Sequence, residues 1–280
     1  MITFTPIHES DGDKLHAEFF RPEFIAQRLG TLGEWRGEAK ACLHLLNPVQ
    51  SPAFENLLHG RSPEGQRPLS LTSEHGMEEL GWRFTLSTPR TVSVLWAMAP
   101  GPVRAAIELA HDQGIGASLW HRESSLCGGA GTSSQDLSHG ALFATFRGGT
   151  DYGQSPHLHT SVFLFNLKFR ADGKVEKLSP DRVRDEVSNL RFIQAVYTGA
   201  HLLKYTGLPQ EMLGDDIRLT GVPSEIVYRF FFDRRFSLDR GCPGNGTAQP
   251  LPSQGLFRAW QEKGQEWGWG PREVDYLLTA

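Results

Sequence analysis

The sequence predicts an α+β fold, in which helices flank a central, mostly antiparallel β-sheet. Three observations indicate this class. Strand-like segments follow one another through tight turns, and long helical patterns lie before and after them. The regular strand–helix alternation of a doubly wound fold is missing, and so is any glycine-rich loop of the P-loop kind. We therefore expect neighbouring strands to pair in opposite directions under a cover of helices.

In the first half of the chain, alternating residues indicate strands, and apolar residues three or four positions apart indicate helices. In the strand that begins at Trp82, the residues Trp82, Phe84 and Leu86 form one dry face, and polar residues form the other. Helices are expected to stop where proline or glycine interrupts the pattern. The predicted elements are a strand (1–7), a helix broken at Pro22 (12–27), a short helix closed by Gly60 (52–60), a polar loop (61–77), a strand (82–89) and a helix after a turn at 99–102.

In the second half, two apolar strands and two helical patterns are separated by turn-forming residues. Ser179 is the expected N-cap of the longer helix, with Pro180 at its first position and Gly207 at its end. The predicted elements are a flexible loop (127–138), two strands joined by a loop (139–149 and 157–169), a hairpin turn (171–174), the long amphipathic helix (179–207), a linker rich in Gly, Pro, Ser and Asn (237–254) and a final helix (254–267).

Composition excludes several classes of protein. The chain has 280 residues and is 39% hydrophobic, which is enough for a large core. Its formal charge of -4 shows no overall basic footprint, so any nucleic-acid surface must be local. Three distant cysteines argue against a disulfide framework or a cysteine zinc site. The sequence starts without a signal-peptide pattern and has no membrane-length apolar run, so we expect a soluble, cytoplasmic protein with no membrane partner.

The segment SPHLHTSVFLFN contains two histidines, His157 and His159, whose side chains share one face of a strand. Two imidazoles on one face can chelate a metal ion, although histidine is also common as a polar start of a strand. A third ligand would be His139, His75 or Asp151. Upstream, TLSTPRTVSVLW places hydroxyl groups and Arg90 at a strand-to-helix junction, which suits either phosphate binding or ordinary helix capping. No GxSxG nucleophile motif is present.

Six segments together resemble the MobF-type conjugative relaxases of the TrwC/TraI kind, and they occur in the family's order. The most specific are GWRFTLSTPRTVSVLW, similar to the signature G-x-D-x-T-F-S-A-P-K-S-V-S, and FRGGTDYGQSPHLHTSVFLFN, similar to F-x-H-x-x-S-R-x-x-D-P-x-L-H-T-H-x-x-x-x-N. The other four are GEWRGEAKACLHL, FENLLHGRSPEG, LRFIQAVYTGAHLL and FRAWQEKGQEWG. The resemblance implies a relaxase or rolling-circle-initiator-like palm and a role in conjugation, that is, plasmid mobilisation. In this family a tyrosine attacks a DNA phosphodiester, and three histidines hold a divalent metal.

Most of the family's catalytic residues do not carry over to this chain. The first metal histidine falls on Gly148 and the third on Ser161, so that only the middle one is retained, as His159. The signature aspartate falls on Arg83. A cation there repels a divalent ion and attracts a DNA phosphate.

The family's tyrosine positions are also substituted. The adjacent tyrosine pair falls on Phe19 and Phe20, and the second pair lies near Phe24 and Ile25. No tyrosine precedes Tyr152. Because phenylalanine keeps the ring but has no oxygen to attack phosphorus, the resemblance implies a relaxase fold without tyrosine nicking.

Three functional hypotheses follow. The first is a protein that binds single-stranded or hairpin DNA without nicking, through the residues Arg83, Thr85, Ser87, Arg90, Arg147 and His159. The second is an active nuclease in which His157, His159 and Asp151 hold a divalent metal (Mg²⁺, Mn²⁺, Zn²⁺ or Ni²⁺) and Tyr152 or a metal-bound water attacks. The third is a scaffolding protein that no longer binds DNA.

The resemblance also suggests a domain organisation. Residues 1–236 are expected to form the relaxase-like domain, and residues 237–280 a linker and a C-terminal helix that packs on the same domain. The family's helicase half is expected to be absent, so a separate helicase or mobilisation protein is an expected partner.

Overall fold

The structure of the protein is a computed structural model that describes residues 4–22, 25, 29, 31–69, 79–127, 138–151, 154–170, 173–185, 187–214, 216–233 and 253–279. The predicted α+β class is confirmed, because a mixed set of helices surrounds an antiparallel sheet. The predicted loop 127–138 and linker 237–254 lie mostly outside the described residues, as does much of the polar loop 61–77.

One antiparallel sheet forms the centre of the molecule. Its strands are β1 (Thr5–Ile7), β2 (Glu34–Arg36), β3 (Gly81–Ser87), β4 (Ser138–Thr150), β5 (Pro156–Arg170) and β6 (Val175–Glu176). The order is β1-β3-β5-β4-β2, and β6 pairs with the end of β5. The central strand β5 is buried on both faces, which explains why its sequence is apolar at successive positions rather than alternating.

Ten α-helices lie among the described residues and include each predicted helix at least in part; the portion of the predicted helix 12–27 after Pro22 lies mostly outside those residues. They are α1 (Gly12–Phe20), α2 (Ala39–Cys42), α3 (Ser51–Leu58), α4 (Arg90–Met98), α5 (Gly101–Cys127), α6 (Pro180–Asp185), α7 (Val187–Thr206), α8 (Ser224–Phe231), α9 (Ser253–Glu266) and α10 (Pro271–Thr279). Helix α1 stops before Pro22, and Gly207 ends α7 with a φ of 70° that favours glycine. None of the described helices could serve as a membrane span.

Several short elements had no sequence-based prediction, and α2 and β6 are among them. The others are β2, the small hairpin of β7 (Gln210–Leu213) and β8 (Asp216–Leu219), α8 and α10. Each is at most nine residues long. Short segments contain too few residues to establish a periodic pattern, and their stability comes from packing on the larger elements.

Two different layers cover the sheet. Helices α5 and α7 cover one face, where Trp82, Phe84 and Leu86 of β3 meet apolar residues of both helices, as the strand pattern predicts. Helices α1 and α3 cover the other face, where Phe163 and Phe165 of β5 meet a second apolar cluster. Residues that alternate along β5 therefore point into different cores.

Helix α9 belongs to a third apolar cluster, which also includes α4 and α8. The Trp260 side chain of α9 is fully buried, and its ring lies 5.8 Å from that of Trp96 on α4. The indole Nε1 of Trp260 donates a hydrogen bond of 2.8 Å to the backbone carbonyl oxygen of Gln154. The C-terminal helix is thus packed on the core. The expected domain boundary at 236/237 lies outside the described residues and stays a prediction.

Candidate DNA-binding cleft

A cleft of about 710 Å³ opens beside the C-terminal half of β3. Strand β1 pairs only with the first half of β3, up to Arg83, and β5 lies on the other side. The remaining edge of β3 faces other elements, since the Nε2 group of Gln194 on α7 donates to the carbonyl oxygen of Ser87 at 3.1 Å. The lining comes from β3, α4, β5, α7, the β7–β8 hairpin and α8: Thr85, Ser87, Thr88, Pro89, Arg90, Thr91, His157, Arg191, Gln194, Leu213, Asp216, Ile217, Arg218, Ser224 and Val227.

The charged side chains of this cleft lining are mostly cationic. They include three arginines, Arg90, Arg191 and Arg218, against one carboxylate, Asp216, which forms an ion pair with Arg191. The cleft is therefore locally positive in a chain whose formal charge is -4. Because the overall charge is negative, a nucleic-acid site in this protein must be a local basic surface. This cleft is such a surface.

Helix α4 begins at this cleft with Pro89 as its N-cap residue, and the hydroxyl groups of the segment hold the junction together. The Thr88 and Ser93 hydroxyl oxygens are 2.8 Å apart. Ser93 Oγ also accepts a hydrogen bond of 3.2 Å from the backbone N–H of Leu158 on β5. The first backbone N–H groups of a helix lack intrahelical partners and favour anions. The contacts of Thr88 and Ser93 therefore fix the N–H groups at the start of α4 in position at the cleft.

The two histidines of β5 lie side by side, with ring centroids 4.8 Å apart. The Nδ1 group of His159 donates to the backbone carbonyl oxygen of His157 at 2.8 Å. Burial lowers the pKa of His157, and the positive charge of Arg90 lowers it further. A neutral imidazole at the cleft wall can exchange hydrogen bonds with a ligand without adding charge.

The residues around this histidine pair do not fit the three-histidine metal centre of the family. Opposite His159 stands Gly148, where an added Cβ atom would lie 2.7 Å from both Cε1 and Nε2 of the His159 ring. Asp151, a predicted third ligand, accepts a hydrogen bond of 2.8 Å from the Ser155 N–H. In the part of the chain that the structure describes, no three His, Cys, Asp or Glu side chains could hold one ion together. His75, Tyr152 and the His139 side chain lie outside the described part.

Arg83 does not line the cleft and is engaged with α1. Its guanidinium makes two hydrogen bonds to the Glu18 carboxylate, of 2.9 Å and 2.6 Å. It also lies over the ring of Phe19, 4.8 Å from the centroid. In this structure the arginine charge is balanced by Glu18, so a phosphate contact by Arg83 requires competition with that carboxylate and stays a prediction.

Phe19 and Phe20, which we predict to stand at the family's tyrosine positions, pack into an aromatic cluster. Phe19 is buried, with its ring 4.9 Å from that of Phe146 and 5.0 Å from that of Phe163. Phe20 lies 5.3 Å from the ring of Phe54 on α3. These rings attach α1 to the sheet. Of the second pair of positions, Ile25 is described, and Phe24 lies outside the described residues.

Arg147 lies on the opposite face of the sheet from His159. It pairs across the strands with Thr160, whose hydroxyl contacts His111 of α5 at 2.9 Å. Its guanidinium is held by Glu108 and Asp112 of α5, at 3.3 Å and 3.2 Å. The structure thus brings Thr85, Ser87, Arg90 and His157 together at the cleft, places His159 beside them and separates Arg147 from them.

Arg191, Arg218 and Gln194 were not predicted as site residues, although they line the cleft. Arg191 and Gln194 belong to the long helix α7, and Arg218 belongs to β8. Nothing in the local sequence distinguishes them from ordinary surface residues. Only the packing of α7 and of the β7–β8 hairpin against α4 shows that they share a wall with Arg90.

Comparison with known protein families agrees with the resemblance. Residues 23–230 match the family described as TrwC relaxase. Two Escherichia coli proteins named "Multifunctional conjugation protein TraI" are similar over 203 residues, at 29% identity for the strain K12 protein and 30% for the other. The matched region is 71% of this chain and 11% of each relative, so the chain spans about a tenth of their length.

Solved structures of similar fold carry the same family name. A metal-bound structure of the conjugative relaxase TrwC in complex with OriT DNA gives a TM-score of 0.75 at 22% identity, over 96% of this chain and 99% of that one. A TrwC complex with a 27-mer DNA comprising the recognition hairpin and the cleavage site gives 0.72 at 20% identity, with the same shares covered. Because the sequence identities are only 20% and 22%, these structural matches establish the fold alone.

Proposed function

Since the chain belongs to the TrwC relaxase family, we propose that it binds single-stranded or hairpin DNA at the cleft and does not cut that DNA through a tyrosine. Two features of the protein together carry the proposal. The cleft has a cationic lining that includes Arg90, while Phe19 and Phe20, which have no hydroxyl group, stand where we expect the family's tyrosines. Binding and cleavage depend on different groups, so one can persist without the other.

Binding of a DNA backbone is supported by the electrostatics of the cleft. Three arginines and the start of α4 lie along one opening, and both kinds of group favour phosphate. The solved TrwC structures were determined with OriT DNA, and by analogy we place the DNA of this protein in the cleft. The cytoplasm, where plasmid DNA is found, stays the predicted location.

Absence of tyrosine-dependent cleavage is supported by the chemistry of the substituted positions. Phe19 and Phe20 have no oxygen atom, and their rings pack among Phe54, Phe146 and Phe163. No third donor accompanies the histidine pair among the described residues. Cleavage by the family's mechanism needs a nucleophile and a Lewis acid at the same phosphate, and both arguments above support a site that lacks this combination.

Binding is tested by titrating a labelled single-stranded oligonucleotide at several salt concentrations. We expect binding that weakens steeply with salt, and we expect Arg90→Ala to reduce the salt slope by about 0.7, the value for one phosphate contact on a single strand. The matched control is Arg258→Ala, because Arg258 is an exposed arginine of α9 that pairs with Glu262. Equal slopes for wild type and Arg90→Ala would remove Arg90 from the interface. Absence of DNA binding by the wild type would favour the scaffolding hypothesis.

Cleavage is tested by incubating the protein with end-labelled single strands and hairpins in Mg²⁺, Mn²⁺, Zn²⁺ or Ni²⁺, followed by a denaturing gel. We expect intact DNA and no protein–DNA adduct. An adduct would contradict the proposal. Its loss in Tyr152→Phe would then identify the relocated nuclease of the second hypothesis, in which His157, His159 and Asp151 hold the metal.

The wider role stays a proposal because the chain spans 11% of its TraI relatives. As a relaxase-fold protein without a cutting tyrosine, it would hold the DNA of a transfer origin while other proteins act on it. A separate helicase or mobilisation protein is the expected partner. This role rests on the family and on the cleft, and the two experiments above test its molecular basis.

A further inference from the structure

Helix α8 presents two exposed aromatic rings next to the cleft. Tyr228 is 59% exposed and Phe232, the residue that ends the helix, is 50% exposed. Their rings are stacked, with centroids 5.8 Å apart and planes 24° apart. Two large rings stacked on each other in solvent form a continuous aromatic surface, which differs from isolated exposed apolar residues.

The opposite side of α8 already accounts for its packing on the protein. Ile226 and Phe230 are buried in the same apolar cluster as α4 and α9. Val227 and Ser224 line the cleft. Tyr228 and Phe232, four positions apart, lie on one exposed face of the helix, and Ser224, one turn before Tyr228, extends this face to the cleft. Because the two rings are exposed and lie outside the apolar cluster that holds α8, they are accessible to a ligand.

Arg90 connects this aromatic face to the cleft. Its guanidinium lies over the ring of Phe232, 4.3 Å from the centroid, and 5.3 Å from that of Phe231. The same arginine lines the cleft at the start of α4. Arg90, Phe232 and Tyr228 therefore form a series of three flat groups that leads from the cationic cleft to the solvent. If a DNA phosphate is held at Arg90, the neighbouring bases would come within reach of the two rings.

We propose that Tyr228 and Phe232 form a stacking platform for the bases of single-stranded DNA whose backbone is bound at Arg90. The inference rests on the proposed function and specifies which part of the DNA the protein contacts outside the cleft. The occupant is a nucleic acid because the platform continues a cationic wall that favours phosphate. Stacking on a ring face requires no particular base, so the platform adds affinity for single strands without selecting a sequence.

The test compares two labelled probes, a mixed-sequence single strand and an abasic strand of equal length that has the same phosphates. We expect the double variant Tyr228→Ala/Phe232→Ala to bind the base-containing strand about tenfold more weakly or worse, and the abasic strand as tightly as the wild type. Double substitution to leucine should behave like alanine, since leucine keeps apolar bulk without a ring face. Double substitution to tryptophan should retain binding. The matched control is Tyr276→Ala, which removes an exposed tyrosine of α10.

The outcomes separate this inference from the function on which it rests. If the wild type binds neither probe, the proposed DNA binding itself fails. If the wild type binds the base-containing strand and the alanine double variant binds it equally well, the platform is wrong and the cleft proposal stands. Equal weakening on both probes would also overturn the platform, since it would indicate a loss of phosphate contacts. Circular dichroism and a thermal melt of each variant confirm that the exposed substitutions leave the fold unchanged.

Discussion

Replacement of Trp260 by alanine is expected to lower the free energy of unfolding by about 3–5 kcal/mol. The indole is fully buried between Trp96 and Phe257, with ring centroids 5.8 Å and 5.3 Å away. Its Nε1 group donates to the Gln154 carbonyl oxygen. Truncation removes this apolar contact area, leaves a cavity and deprives a buried carbonyl of its donor, and all three effects destabilise the fold.

The measurement is urea unfolding followed by tryptophan fluorescence and circular dichroism, with Trp120→Ala as the matched control. Trp120 is 68% exposed on α5, so its loss should change stability by no more than about 0.5 kcal/mol. An equal effect of the two substitutions would contradict the role of α9 in the core. A loss confined to Trp260→Ala, with one cooperative transition, would support the proposal that the C-terminal helix is part of the same domain.

The second large effect is a loss of stability in acid caused by His111. This histidine is completely buried, and burial together with the positive charge of Arg147 lowers its pKa from 6.5 to about 3. Between these two values the unfolded chain binds a proton at this residue and the folded protein does not. Protonation therefore favours unfolding, by about 1.4 kcal/mol for each pH unit below 6.5, and makes no contribution above it.

The measurement is the free energy of unfolding of the wild type and of His111→Gln between neutral pH and pH 4.5. Glutamine cannot titrate and can still hydrogen-bond the Thr160 hydroxyl, which His111 contacts at 2.9 Å. We expect the variant to lose less stability on acidification, because contributions from other groups cancel in the difference. His59→Gln, at an exposed position after α3, should follow the wild type. Parallel curves for wild type and His111→Gln would show that His111 is not responsible.

The proposed loss of cleavage and the attachment of α1 have one physical origin. Phe19 and Phe20 lack the hydroxyl that a nucleophile needs, and for the same reason their rings can pack among other rings without an unsatisfied polar atom. The Arg83–Glu18 pair joins the same helix to β3. Arg83, predicted to stand at the signature aspartate position, thus has a structural partner on α1.

Much of the architecture follows from local patterns. Alternation predicted β3, continuous apolar residues predicted β4 and β5, and helical spacing with proline and glycine boundaries predicted α1, α3, α5 and α7. The family resemblance, carried by two specific segments, is confirmed by the match over residues 23–230. The short β2, the β7–β8 hairpin and α8 could not be predicted in the same way, because their few residues become stable only on contact with the rest of the chain.

The sequence alone determines which functional groups the candidate site residues carry. Covalent structure is sufficient to show that residues 19 and 20 are phenylalanines without a hydroxyl, and the family resemblance predicts that His159 alone remains of the three metal histidines. The tertiary structure decided which charges and rings meet. It placed Arg83 against Glu18, Arg147 on the far face of the sheet, and Arg90 beside Phe232. The physical reason is strand register and long-range packing, since a shift of one residue moves a strand side chain to the opposite face and no local pattern fixes that shift.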